Sequence, residues 1–111
     1  MFLSTLLLLA NLLTVHVHPF GFVSAKHPTI EVNVHVERDK ANRTLSVEVI
    51  GDTGYYQLSE RSLDGEKSGT FQQFKFKDLP EGSYGIFANL TQWKDGKWKT
   101  IHEKGENLVV N

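Results

Sequence analysis

The 111-residue chain predicts an all-β fold, a small antiparallel sandwich of about seven strands. Two observations predict it. Apolar residues recur with period 2 rather than 3.6 along most of the chain after residue 28, and Gly, Pro, Asp and Asn clusters break the alternating runs into short segments. No segment there carries the apolar stripe of an amphipathic helix.

The first 25 residues set a domain boundary. They hold no Lys, Arg, Asp or Glu, so the chain's 12 basic and 13 acidic residues all follow them. Residues 3–13 supply an apolar run of signal-peptide length, Pro19 and Gly21 interrupt any helix, and Val23, Ser24 and Ala25 offer a small-residue cleavage pattern with Lys26 as the new N-terminus. Only Met1 and Phe2 precede the apolar run, without the usual basic residue. An uncleaved anchor is the alternative, although His16, His18, Pro19 and Gly21 interrupt its second half. The expectation is a signal peptide over 1–25, one β-sandwich domain over 26–111, and a secreted or periplasmic location with no stable membrane insertion after cleavage.

A domain of this size is expected to bury only about 60–65% of its unfolded surface. The chain has no Cys, so no disulfide can brace it and thiol nucleophiles and thiolate metal sites are excluded. A formal net charge of -1 with both signs interspersed gives no electrostatic reason to expect a nucleic acid partner.

Each strand follows from its own alternation. Ile30, Val32, Val34 and Val36 alternate with Glu31, Asn33, His35 and Glu37, which gives a strand with one wet face. Leu45, Val47 and Val49 define a second, ended by the turn 51–54. A third is expected over 55–62, where Tyr55 and Tyr56 must point to opposite faces. The Asp64-Gly65 pair that follows favours a tight type I′ hairpin. Phe74 and Phe76 belong to the next strand. Tyr84, Ile86, Ala88 and Leu90 then form an inward row opposite Gly85, Phe87, Asn89 and Thr91, and a last strand over 97–110 is interrupted near 104–106.

The hexapeptide Leu79-Pro80-Glu81-Gly82-Ser83-Tyr84, preceded by Phe74 and Phe76, resembles the E-to-F corner of fibronectin type III and related immunoglobulin-like domains. A similar corner occurs in prealbumin-like sandwiches. The resemblance implies that the Tyr84 hydroxyl bonds back to the corner backbone. It also implies an immunoglobulin-like architecture and a bias toward binding, while the fold itself hosts many activities.

The most specific local motif is 93–98, Trp-Lys-Asp-Gly-Lys-Trp. With Asp95 and Gly96 in the turn, Lys94 faces Lys97 and Trp93 faces Trp98. An opposed aromatic pair contributes roughly 0.2–1 kcal/mol to a hairpin, so both Trp residues have a structural reason to be there. Rigid exposed Trp is also a favoured binding anchor, and Trp93 shares the outward parity of Phe87, Asn89 and Thr91. Trp93, Lys94, Lys97 and Trp98 are therefore the candidate ligand-binding residues, the lysines suiting acidic sugars or phosphate groups.

Two glycosylation sequons begin at Asn42, in an expected polar turn, and at Asn89, on an expected strand face. They matter only in a eukaryotic source. Among the residues after 25, His27, His35 and His102 lack the i, i+2 pairing that places two imidazoles on one strand face. No nucleophile elbow, phosphate-binding loop or paired acid is recognisable. The sequence leads to a binding module for a protein or carbohydrate ligand, with no catalytic residues, no metal and no cofactor expected. The alternative is a structural or assembly subunit of the cell envelope or extracellular matrix, pairing through an edge strand.

Overall fold

The computed structural model describes residues 12–111. Within them, nine strands form two sheets: β1 (Leu13–His18), β2 (Gly21–Val23), β3 (Ile30–Val36), β4 (Asn42–Gly51), β5 (Tyr56–Ser62), β6 (Phe71–Phe76), β7 (Gly82–Lys94), β8 (Lys97–Lys104) and β9 (Leu108–Val110). The smaller sheet has the order β1-β3-β6 and the larger the order β2-β9-β7-β4-β5, with β8 also paired to β7. The expected all-β sandwich is what forms.

Alternation explains the core. Ile30, Val32 and Val34 from the smaller sheet meet Leu45, Val47, Val49, Ile86 and Ala88 from the larger, all fully buried. Phe74 closes one side, with the Arg61 guanidinium 4.1 Å from its ring centroid. As the parity of adjacent strand residues requires, Tyr55 packs against the core while Tyr56 is exposed.

Strand β7 is the longest at 13 residues and serves two partners along one edge. Its stretch from Phe87 to Lys94 pairs with β8, and Gly82 to Tyr84 pair with β9. The chain leaves the edge between them at Gly105, whose N–H donates to the Ile86 carbonyl at 2.9 Å. A Cβ there would lie 2.9 Å from a Val15 methyl, so only Gly lets the chain pass this close to β1.

At the corner before β7, the Tyr84 hydroxyl donates to the Pro80 carbonyl. The Tyr84 ring meets that of Tyr55 edge-on at 5.5 Å. Tyr84→Phe deletes the bond and keeps the ring, and is expected to lower stability by about 1 kcal/mol. Chemical denaturation measures it, and an unchanged midpoint would make the bond energetically silent.

Three expectations need correction. First, two strands of the sandwich, β1 and β2, precede Lys26. Strand β1 pairs with β3 over six residues, and β2 pairs in parallel with β9. Leu13, Val15 and Val17 are buried because 13–18 alternates apolar and polar residues as strictly as β3 does. Most of the proposed signal run, residues 3–11, lies outside the described residues.

Second, Asp64-Gly65 makes no hairpin. A 3-10 turn, Gly65–Lys67, begins there, because β5 and β6 belong to different sheets and the connection has to cross between them. Third, Asn42 is not on a solvated turn. It is 2% exposed, its amide nitrogen donates to the Glu37 carbonyl at 3.0 Å, and its carbonyl oxygen accepts from the buried Gln92 amide at 2.9 Å. A residue so enclosed has no room for a glycan in the folded domain.

Both edges of the small sheet carry a charged side chain on a backbone group. On β6, Arg61 donates to the Gln73 carbonyl and, at 3.2 Å, to the Gln72 side chain. On β1, the Glu106 carboxylate accepts from the Val17 N–H at 2.9 Å and lies 3.3 Å from His16 Nδ1. Partial burial pushes the Glu106 carboxyl up, but hydrogen bonds from its own amide, the Val17 amide and His16 outweigh this and hold it below the ordinary value.

Candidate functional site

Among the described residues, the outer face of the larger sheet collects most of the exposed large aromatic and aliphatic side chains. Register brings them together. Asn89 of β7 lies opposite Ser46 of β4 and His102 of β8, and Phe87 lies opposite Glu48 and Lys104. Leu58 and Tyr56 of β5 continue the rows of Glu48 and Ile50.

A hydrogen-bonded ladder crosses four strands at the middle of this face. The Tyr56 hydroxyl donates to Glu48 Oε2 at 2.7 Å, and Asn89 Nδ2 donates to Glu48 Oε1 at 3.0 Å. Asn89 Oδ1 lies 2.6 Å from His102 Nδ1, which makes that imidazole nitrogen the donor. The bond to the Glu48 carboxylate raises the Tyr56 phenol above its ordinary value and so keeps the donated proton on the hydroxyl. Each group has a fixed partner, and the ladder presents a preset row of polar atoms to solvent.

On one side of the ladder the sheet is hollowed over Gly85. The hollow has a volume of about 580 Å³ and is walled by Ile50, Phe87, Lys104 and Val109. Phe22 of β2 extends the apolar surface beyond Val109, its partner in register, and is 72% exposed. On the other side, Thr91 and Thr100 lead to Trp93 and Trp98.

The Trp hairpin has the expected register, Trp93 with Trp98 and Lys94 with Lys97. Asp95 and Gly96 take φ values of 54° and 73°, as a type I′ turn requires. The indoles meet at 4.9 Å with 66° between planes, and remain 42% and 64% exposed. Lys94 and Lys97 have the opposite parity. They project from the other side of the hairpin, so the lysines do not extend the Trp surface as the linear motif suggests.

Asn89 has its amide committed to the ladder, as the outward parity of its sequon allows. Sequence reasoning did not find Glu48, Tyr56, Phe87 and His102 as one group. Parity alone puts each on an outer face, but which residue stands beside which depends on the β4-β5, β4-β7 and β7-β8 registers. Among the described residues no group of three or more His, Asp or Glu side chains is placed to hold a metal ion, and no helix is long and apolar enough to cross a membrane.

No protein-family model matches the chain, and no curated protein does. Solved structures of the same fold do. A variant of the superoxide reductase (neelaredoxin) from Ignicoccus hospitalis superposes with a TM-score of 0.63 at 12% identity, covering 95% of this chain and 86% of that one. Another structure of that reductase gives 0.60 at 11%, covering 88% and 80%. The CARDB domain of a Pyrococcus furiosus protein, solved in complex with di-metal ions, gives 0.54 at 20%, covering 88% and 91%.

These similarities define a class, the β-sandwich, and nothing narrower. They also correct the expectation that this chain is not an enzyme. That expectation rested on the lack of a recognisable catalytic constellation in the sequence, and structures of this fold include a superoxide reductase. At such identities the likeness shows the fold alone, and a fold carries neither a reaction nor its absence.

Proposed function

We propose that the chain is a binding module that takes a carbohydrate across the outer face of its larger sheet. The observation that carries this reading is the ladder Tyr56–Glu48–Asn89–His102 set between two aromatic surfaces. Sugars present apolar ring faces edged by hydroxyls. A face that alternates aromatic planes with fixed donors and acceptors suits them, since preorganised polar groups give orientation and aromatic surface gives affinity. On each edge of the small sheet a charged side chain already occupies one backbone group, at Val17 and at Gln73, which disfavours strand pairing at those positions. We also place the sandwich in the immunoglobulin-like class, which the Tyr84 bond to the Pro80 carbonyl supports.

A glycan array followed by calorimetry tests the reading. Trp93→Ala and Phe87→Ala are each expected to weaken the selected glycan by more than about 1 kcal/mol, roughly fivefold, with the domain still folded. Unchanged affinity in both variants would remove the ligand from this face. Retention of a protein on the same face, with no glycan bound, would replace carbohydrate by protein.

A further inference from the structure

We propose that His16 and His18 form a chelating pair for a divalent transition metal ion on the outer face of the smaller sheet. The pair exists only because 13–18 is a strand. Within β1, Leu13, Val15 and Val17 turn inward, so the alternate residues His16 and His18 turn outward and are exposed. Side chains two apart on one strand face are about 6.5–7 Å apart at their backbone origins, a span that two imidazoles can close around one ion. The six-residue ladder to β3 fixes this spacing.

Two neighbours shape the pair. Glu106 is pinned to the backbone through the Val17 N–H and places its other oxygen 3.3 Å from His16 Nδ1. That contact engages one ring nitrogen and leaves Nε2 toward solvent, the arrangement by which a carboxylate orients a metal-binding imidazole from behind. Across the ladder, Glu31 lies opposite His18 and adds an oxygen donor and negative charge near the pair, although Lys75 and Gln73 now share that carboxylate. Imidazole nitrogen favours Zn²⁺, Cu²⁺ or Ni²⁺ over Mg²⁺ or Ca²⁺. Two protein nitrogens leave the remaining positions to water, so the site is an open one.

The test is calorimetric titration of the full chain, without a polyhistidine tag, with Zn²⁺, Cu²⁺ and Ni²⁺ at neutral pH. One saturable equivalent is expected. His16→Ala and His18→Ala should each abolish saturation, and both residues are exposed, so the denaturation midpoint reports that the variants still fold. Glu106→Gln keeps an oxygen that can accept from the Val17 N–H but removes the carboxylate charge behind His16, and should weaken binding about tenfold while leaving the stoichiometry at one. His27→Ala should change nothing. Absence of saturable binding, or binding that survives the His16 and His18 substitutions, overturns the proposal. So does an intact mass showing that the protein in its native setting starts at Lys26, because that form lacks both ligands.

Discussion

A chain begun at Lys26 is expected to lose the cooperative unfolding transition of the chain that keeps β1 and β2. Leu13, Val15 and Val17 are 2%, 7% and 2% exposed. Burying an aliphatic side chain is worth about 1.5–3 kcal/mol, so the three together contribute roughly 5–9 kcal/mol. That range overlaps the whole net stability of an ordinary domain, about 5–15 kcal/mol. Truncation also uncovers Ile30, Val32 and Val34, and it strips the β3 edge of a six-residue partner. Urea denaturation of the two forms decides the matter. If the shorter chain unfolds at the same midpoint, β1 is dispensable and the boundary expected at Lys26 stands.

Asn42→Ala is expected to be the most damaging single exchange of a polar residue. Asn42 joins the Glu37 carbonyl to the Gln92 amide inside the fold, and removing it strands both. Leaving the buried Gln92 amide unpaired costs about 1–3 kcal/mol, and the part-buried bond to the Glu37 carbonyl contributes about 0.5–1.5 kcal/mol, so the loss should reach roughly 1.5–4.5 kcal/mol if no water enters. Thermal or chemical unfolding measures it. Gln92→Ala strands only the Asn42 carbonyl oxygen and should lose less; a loss below about 0.5 kcal/mol for Asn42→Ala would mean that the pair contributes nothing net.

Much of the architecture was legible because strand alternation is a local signal. The inward rows over β3, β4 and β7, the Trp93–Trp98 register and the break before Leu108 all follow from residues a few positions apart. Residues 13–18 carried the same signal, with Leu, Val and Val alternating with Thr, His and His. A lack of charge across 1–25 pointed instead to a leader, since a buried-edge strand and a signal segment can share one composition. The outer face of the larger sheet was less legible. Glu48, Asn89 and His102 are brought side by side by two interstrand registers, and nothing near any of them in sequence specifies its neighbour on the next strand. Asn42 misled for a similar reason: a polar stretch reads as solvated until Gln92, fifty residues on, is found to be its partner.

The parallel pairing of β2 with β9 has a consequence for how the domain acquires its shape. It joins Gly21 to Leu108 and Val23 to Val110, residues separated by most of the described chain. The β4-β5 and β7-β8 pairs, by contrast, join strands adjacent in sequence. Loop-closure entropy opposes distant contacts more than near ones, and a fold rich in distant pairings reaches its native state on a timescale of about milliseconds to seconds. The two local hairpins close short loops, whereas the β2-β9 seam has the longest loop to close among the described strand pairs. Until it closes, Phe22 and Val109 cannot meet, so the apolar end of the larger sheet's outer face depends on that one distant pairing.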